Sequence, residues 1–370
     1  MAATTTDTDR AHMRAALGLA RRGLGNVWPN PAVGCVIVKD GRVVGRGWTQ
    51  PGGRPHAETE ALAMAGEAAR GGVAYVTLEP CSHHGKTPPC AESLIKAGVA
   101  RVVAATEDTD PRVSGRGVAM LRQAGIEVSV GLCGDEAREL NAGFFLVQRE
   151  GRPLVTLKVA STLDGRIATH SGESKWITGA AARQAAHLLR AEHDVIMVGS
   201  GTVLADDPEL TCRLPGLEDR SPVRVVLDGR MRLPLTSRLV TTANEIPTWL
   251  LTLEDGPAAR IEAFQDSGVD VVEVPAGPDR TVDLAAAMVA LAESGVTRVL
   301  VEGGAHLSAG LLRAGLVDRL VWFRSARLMG GDGLPAMVGF GVDHLGQTPR
   351  FELAEACPVA DDMMEIYRKI

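Results

Sequence analysis

Four residues in the first quarter of the chain could do chemistry together: His56 and Glu58 in Pro55-His56-Ala57-Glu58, Cys81 in Glu79-Pro80-Cys81, and Cys90 after eight further residues. One imidazole and two thiolates provide three protein ligands, and zinc with three such ligands keeps a fourth position open for water or substrate. Two thiolates and a neutral imidazole bring the divalent ion to zero formal charge, yet the metal can still lower the pKa of a water towards about 7. Glu58 adds what the metal lacks, a carrier of protons between attacking water, ring nitrogen and departing amine. The alternative use of the same cluster is a closed structural zinc site, with His83 or His84 as the fourth ligand.

The order histidine, x, glutamate, then Pro-Cys is the signature of zinc deaminases, in which the cysteines usually stand as C-x-x-C. Here they are separated by SHHGKTPP, where Gly85, Pro88 and Pro89 predict an irregular loop ending as Cys90 opens a helix. A helix N-terminus favours the thiolate. Residues two apart inside a helix diverge by about 200°, so His56 and Glu58 can face one metal only if His56 sits at a helix cap.

A second candidate site lies near residue 300. Val301-Glu302-Gly303-Gly304-Ala305-His306 reads as a β-branched strand ending in two glycines before a helix, where backbone N–H groups and the helix dipole can meet a phosphate. The plainer reading is a tight strand-to-helix turn. Gly199-Ser200-Gly201 is followed by Leu204 where a dinucleotide fingerprint needs its third glycine, so a Rossmann site is not indicated. Arg190 and Arg213 suit a sugar phosphate, which a guanidinium fork binds bidentately; each could equally be an ordinary helix-end or loop charge. Asp164 and Asp206 are candidate polar anchors in turns, although Asp-Gly and Asp-Asp-Pro are also ordinary turn chemistry.

These residues need two sets of elements to hold them. Helical spacing over 9–24, apolar runs at 33–38, 74–78, 101–105 and 126–130, and helical segments at 57–70, after Cys90 and at 117–124 predict one α/β sandwich to about residue 146. A polar stretch through Pro153 predicts a linker over 147–152. Beyond it, strands at 154–160, 194–199, 223–228, 247–252, 269–273, 297–302 and 317–323 interleave with helices at 180–190, 258–267, 282–293 and 305–313. That alternation predicts a second, largely parallel sheet covered on both faces. A length of 370 residues suits two domains.

The net charge of −6 and an aromatic content of 4% speak against a nucleic-acid partner, which needs cations and stacking platforms. Six cysteines are too few for a disulfide scaffold, and neither a leader nor an apolar membrane span is evident, so the expected compartment is the cytoplasm and the expected partner a small molecule.

At NPAVGCV (30–36), HAE (56–58) and LEPCSHHGKTPPC (78–90) the chain resembles the bifunctional deaminase/reductases of riboflavin biosynthesis. LKVASTLDGR (157–166), SGESKWIT (171–178), LLRAEHD (188–194), GTVLADDPELTCR (201–213) and VEGGAHL (301–307) continue the resemblance over nearly the full length. It implies a cytidine-deaminase-like α/β/α sandwich over 1–146 and a dihydrofolate-reductase-like α/β domain over 153–370. The first would remove the 2-amino group of 2,5-diamino-6-(5-phosphoribosylamino)pyrimidin-4(3H)-one as ammonia; the second would reduce the ribosyl chain to ribityl with NADPH.

By matching positions, the resemblance makes His56, Cys81 and Cys90 the zinc ligands and Glu58 the proton shuttle, with Asn30 and Lys86 as substrate contacts. It assigns NADPH to Ala160, Trp176, Thr202, Asp206 and the segment Gly304, Ala305, His306, Leu307, Ser308, Ala309 and Gly310. Ser174, Arg190, Leu210, Arg213 and Glu302 would contact the phosphoribosyl substrate. A homo-oligomer, dimer or tetramer, is expected. One departure is Gly47-Trp48-Thr49, where many relatives carry a histidine at the third position; Thr49 offers only a hydroxyl.

Overall fold

The computed structural model describes residues 6–84, 88–108, 114–277, 280–339 and 341–370. The chain divides into two units, Met1–Glu150 and Gly151–Ile370.

In the first unit, strands β1 (Gly34–Lys39), β2 (Arg42–Trp48), β3 (Val73–Val76), β4 (Arg101–Ala104) and β5 (Glu127–Val130) form one sheet in the order β2-β1-β3-β4-β5. The β1 pairings are antiparallel, and β3, β4 and β5 run parallel. Helices α1 (Asp7–Ala20), α2 (Ala57–Ala65), α3 (Cys90–Ala97), α4 (Arg116–Gln123), α5 (Gly134–Leu140) and α6 (Ala142–Glu150) complete it.

Strand alternation sends β1 side chains to two separate cores. Cys35 and Ile37 pack with Ala57 and Ala61 of α2 and Leu94 of α3, whereas Val36 and Val38 pack with Met13 and Ala16 of α1 and Leu140 of α5. A sheet buried on both faces by helices is the α/β/α sandwich. Close approach matters most between α2 and β2: a Cβ on Gly45 would overlap the carbonyl oxygen of Ala61, and one on Gly47 that of Ala57. Helix α2, which carries the first site, can therefore lie directly on the strand.

Two local expectations change. The first helix stops at Ala20 and a 3₁₀ turn, Arg21–Gly23, follows it. Residues 147–150, assigned above to a linker, are the last turn of α6, because buried Phe145 and Leu146 anchor that helix until Gly151 turns with φ +68°.

The second unit contains β6 (Leu154–Ser161), β7 (Arg166–Ala168), β8 (Val195–Gly199), β9 (Val223–Leu227), β10 (Thr248–Leu253), β11 (Asp270–Val274), β12 (Arg298–Glu302), β13 (Arg319–Ser325), β14 (Leu334–Pro335), β15 (Phe351–Val359) and β16 (Asp362–Lys369). Nine of them form a sheet in the order β11-β10-β9-β8-β12-β6-β13-β16-β15. From β11 to β13 neighbours are parallel; β16 and β15 add an antiparallel hairpin that the sequence reading did not include. Its outer strand is largely exposed, so the hydrophobic alternation that marks a half-buried strand is weak there.

Helices α7 (Ala180–Ala191), α8 (Ser200–Asp206), α9 (Arg238–Thr241), α10 (Ala258–Asp266), α11 (Leu284–Glu293) and α12 (Ala305–Arg313) cover the sheet. The carboxyl ends of β6 and β12, with helix α8 that follows β8, line a shared cleft, the usual ligand position in such sheets. Among the described residues, no helix is long and apolar enough to cross a membrane.

Candidate active sites

The first site begins with a helix cap. His56 has extended backbone angles (φ −73°, ψ 159°) at the N-cap of α2, while Glu58 lies inside the first turn. This break in helical geometry brings two residues, which would diverge within a helix, to the same pocket. Cys81 follows β3 through Thr77 to Pro80, and Cys90 opens α3, where its backbone N–H donates to Cys81 Sγ at 3.3 Å.

His56 Nδ1 lies 3.3 Å from Cys90 Sγ and 3.7 Å from Cys81 Sγ, and all three ligand atoms fall within 4.8 Å of one another. With Zn–N near 2.0 Å and Zn–S near 2.3 Å, tetrahedral geometry places donors about 3.5 to 3.8 Å apart. The three atoms therefore fit a zinc ion, and among the described residues they form the single group of this kind. His83 instead lines the pocket, and exposed His84 sits 3.4 Å from Glu92.

The hydrogen bond from the Cys90 thiol brings Cys81 down to about 4, with His56 and the Cys90 N–H acting in the same sense against burial. Cys90 is shifted upward by sharing that proton and by burial. Glu58 is 3% exposed, and burial together with the Cys81 charge raises its carboxyl to about 7, opposed by His56. A carboxyl poised near neutrality can both accept and deliver a proton.

The pocket beside these groups has a volume of about 290 Å³ and includes Asn30, Arg54, Asp108 and Gln148 in its wall. Asn30, which the resemblance makes a substrate contact, lines this pocket, held by a 3.3 Å hydrogen bond from Nδ2 to the Val27 carbonyl and packed on Gly53. Lys86 lies outside the described residues. The Thr49 hydroxyl accepts the Val33 N–H at 3.0 Å and donates to the Pro31 carbonyl at 3.2 Å, so it ties two backbone segments of the wall together.

Sequence reasoning passed over Glu79. Its buried carboxylate accepts backbone N–H groups from Asp108, Gly115, Gly117 and Val118 at 2.9 to 3.3 Å. Adjacency to Pro80-Cys81 was the available signal. Arg54, Asp108 and Gln148 had none.

The second site is a cleft of about 510 Å³. Glu302 ends β12, Gly303 follows with φ +110°, and Gly304 caps α12 with φ +72°, both left-handed values that favour glycine. A Cβ on Gly303 would press on Thr202 of α8. Ala160, Ser174, Trp176, Thr202, Asp206, Leu210, Arg190, Arg213, Glu302, Gly304 and Ser308 all line this cleft.

The rest of the 304–310 segment does not share that wall. Ala309 is in the core, Gly310 packs on Leu284, and the side chains of Ala305, His306 and Leu307 are absent from the lining, which Gly303, Gly304 and Ser308 reach.

Arg190 uses its fork internally. Nε and Nη2 donate to the two Glu302 oxygens at 2.7 and 2.9 Å, and Nη1 donates to the Thr211 carbonyl at 2.8 Å. Lys158 Nζ approaches Glu302 at 3.7 Å. Burial would raise the Glu302 carboxyl, but the charges of Arg190 and Lys158 outweigh it and bring it to about 2. Arg213 is exposed and bonds Glu209 and Thr211. Asp164 anchors a turn by accepting the N–H groups of Met329 and Gly330 at 3.2 and 2.8 Å. Lys158, Arg183 and Arg238 also line the cleft; of these, Lys158 was visible as a cation inside an apolar strand.

A buried glutamate beside a His-Cys-Cys cluster on one sandwich, and a glycine-flanked cleft at the carboxyl ends of a second sheet, define a zinc deaminase joined to a reductase. Residues 6–106 match the cytidine and deoxycytidylate deaminase zinc-binding region, and residues 153–364 match the RibD C-terminal domain. The riboflavin biosynthesis protein RibD of Escherichia coli is 44% identical over 368 residues, covering 96% of this chain and 98% of that protein. The structure of RibD from Acinetobacter baumannii has a TM-score of 0.86 at 41% identity, covering 98% of this chain and 99% of the other. The diaminohydroxyphosphoribosylaminopyrimidine deaminase/5-amino-6-(5-phosphoribosylamino)uracil reductase of Thermotoga maritima gives 0.86 at 36% identity with the same coverage.

The chain belongs to the RibD family, the bifunctional deaminase/reductases of riboflavin biosynthesis. Its cofactors are zinc and NADPH.

Proposed function

We propose the following division of work among the residues of this bifunctional enzyme. The first pocket takes 2,5-diamino-6-(5-phosphoribosylamino)pyrimidin-4(3H)-one, and Glu58 moves protons from the attacking water to the ring and to the departing 2-amino group. Zinc held by His56, Cys81 and Cys90 supplies a Lewis acid that makes water nucleophilic at neutral pH. Asn30 and Lys86 orient the substrate, while Glu79 keeps the wall at Asp108 in place.

The observation that carries this reading is the buried Glu58 carboxyl, raised to about 7, beside three ligand atoms that all lie within 4.8 Å of one another. The deaminated product then enters the second cleft, where NADPH would supply the hydride and water the proton that together turn the ribosyl chain into ribityl. Gly303 and Gly304, at the N-terminus of α12, meet the cofactor with backbone; Ala160, Trp176, Thr202, Asp206 and Ser308 form its remaining wall. Ser174, Leu210, Arg213 and Glu302 face the phosphoribosyl substrate, with Arg190 acting mainly through Glu302, since Nε, Nη1 and Nη2 each spend an N–H on that carboxylate or on Thr211.

The enzyme works in the cytoplasm as a homo-oligomer, dimer or tetramer. Free cysteines, two of them in the ligand cluster, support a reducing compartment. The deciding experiment follows NADPH oxidation after the diaminopyrimidine is added to the zinc-loaded protein. Oxidation that disappears in Glu58→Gln supports deamination before reduction; oxidation that persists in the variant at the wild-type rate overturns both the order and the role of Glu58.

A further inference from the structure

At the rim of the reductase cleft, Trp176 is 61% exposed, an unusual position for an indole. It is nevertheless held. The Arg183 guanidinium, from the first turn of α7, stands with Cζ 4.5 Å from the indole centroid. Arg183 Nη1 also donates to the Thr178 carbonyl at 2.9 Å, two residues beyond the tryptophan. The same stretch is fastened again at Gly179, whose N–H donates to Asp362 Oδ2 at 2.6 Å.

These contacts give Arg183 a specific task. A planar cation on one face of an indole leaves the opposite face available to a flat ring, and fixing the indole in advance removes part of the ordering cost of binding. The second contact, to Thr178, fixes the guanidinium itself, so ring and backbone are gripped by one side chain. The geometry points to Arg183 as a positioning residue that holds Trp176 at the cleft rim as a stacking surface for a ring of NADPH. This rests on the reading above that Trp176 contacts NADPH.

A double-mutant cycle on the full-length protein tests it, with NADPH affinity measured by calorimetry in wild type, R183M, W176A and the double variant. W176A is expected to weaken NADPH binding about tenfold and R183M about fivefold. In the W176A background R183M should change the affinity less than twofold, because Arg183 acts through the indole. Without NADPH, the Trp176 share of the emission, taken as the difference from W176A, should become more accessible to acrylamide in R183M. R183K, which keeps the charge and loses the planar fork, should weaken binding about threefold and covers the case of an R183M protein that fails to fold.

Equal weakening by R183M with and without Trp176 would mean that Arg183 meets the cofactor directly and would overturn the positioning role. Wild-type affinity in both R183M and R183K overturns it as well. An unchanged affinity in W176A removes the underlying assignment of Trp176 to NADPH, a different failure with its own signature.

Discussion

Arg190 and Glu302 form a two-pronged ion pair, Nε to Oε1 at 2.7 Å and Nη2 to Oε2 at 2.9 Å, across the floor of the reductase cleft. The side chains are only 13% and 11% accessible, so neither charge is solvated on its own. The pair joins α7 to the carboxyl end of β12, the strand that leads into Gly303-Gly304.

Breaking that pair should be costly. Arg190→Met leaves Glu302 with Lys158 as its remaining cation, and removing one partner of a buried pair typically costs about 3 kcal/mol or more. Urea unfolding followed by the emission of Trp322, in the same unit, is expected to show that loss. An unchanged midpoint would rule out a stabilising role for the pair.

The same pair sets a pH dependence. Glu302 titrates near 2 in the fold, below its ordinary carboxylate value of about 4.3 in an unfolded chain. Its stabilisation is therefore fully present above the unfolded value and is lost as pH falls through the folded one. Between about pH 5 and pH 2 the second unit should lose stability more steeply than in Glu302→Gln, whose pair has no proton to gain. Parallel thermal midpoints for the two proteins over that window would contradict this account.

Glu58→Gln keeps the shape of the side chain and removes its basicity. Zinc content should remain near one per chain, while ammonia release falls by at least about a hundredfold. Metal analysis alongside an ammonia assay separates the two effects. Loss of zinc in the variant would show that the carboxylate acts through metal retention instead.

Removal of zinc by a chelator should stop ammonia release and leave NADPH affinity unchanged, because each unit has its own core and its own ligand pocket. Calorimetric titration with NADPH before and after chelation checks this. A fall in affinity on chelation would mean that the metal supports the reductase cleft too.

Gly47→Ala tests the seat of α2. A Cβ there would meet the Ala57 carbonyl oxygen, one residue after His56, so the helix must shift away from β2. Overpacking of this kind costs about 1 to 3 kcal/mol and should displace His56 and Glu58 together. Zinc affinity and ammonia release are expected to fall in step; wild-type values for both would show that α2 is free to slide.

Much of the catalytic equipment was readable in the order of the residues. The spacing of His56, Glu58, Cys81 and Cys90 selects zinc chemistry because ligand type and open coordination follow from side-chain identity. The requirement that His56 lie at a cap follows from helix geometry alone, as does a glycine pair between strand and helix at Gly303-Gly304. The alternating strands and helices were likewise visible, since burial on two faces leaves apolar runs with characteristic periods.

What tertiary structure decided is how the polar groups spend their hydrogen bonds. Arg190, read as a phosphate ligand, is committed to Glu302 and Thr211, 112 and 21 residues away. Glu79 gathers four backbone N–H groups, from Asp108, Gly115 and the first turn of α4, and Thr49 joins two segments of the pocket wall at the position where many relatives carry a histidine. The exposed edge strand β15 also had to be seen, because edge pairing does not depend on a buried stripe. Ligand identity is a property of single side chains and short spacings, whereas the partner of a buried charge is set by which distant backbone and side-chain groups the fold brings within hydrogen-bond reach.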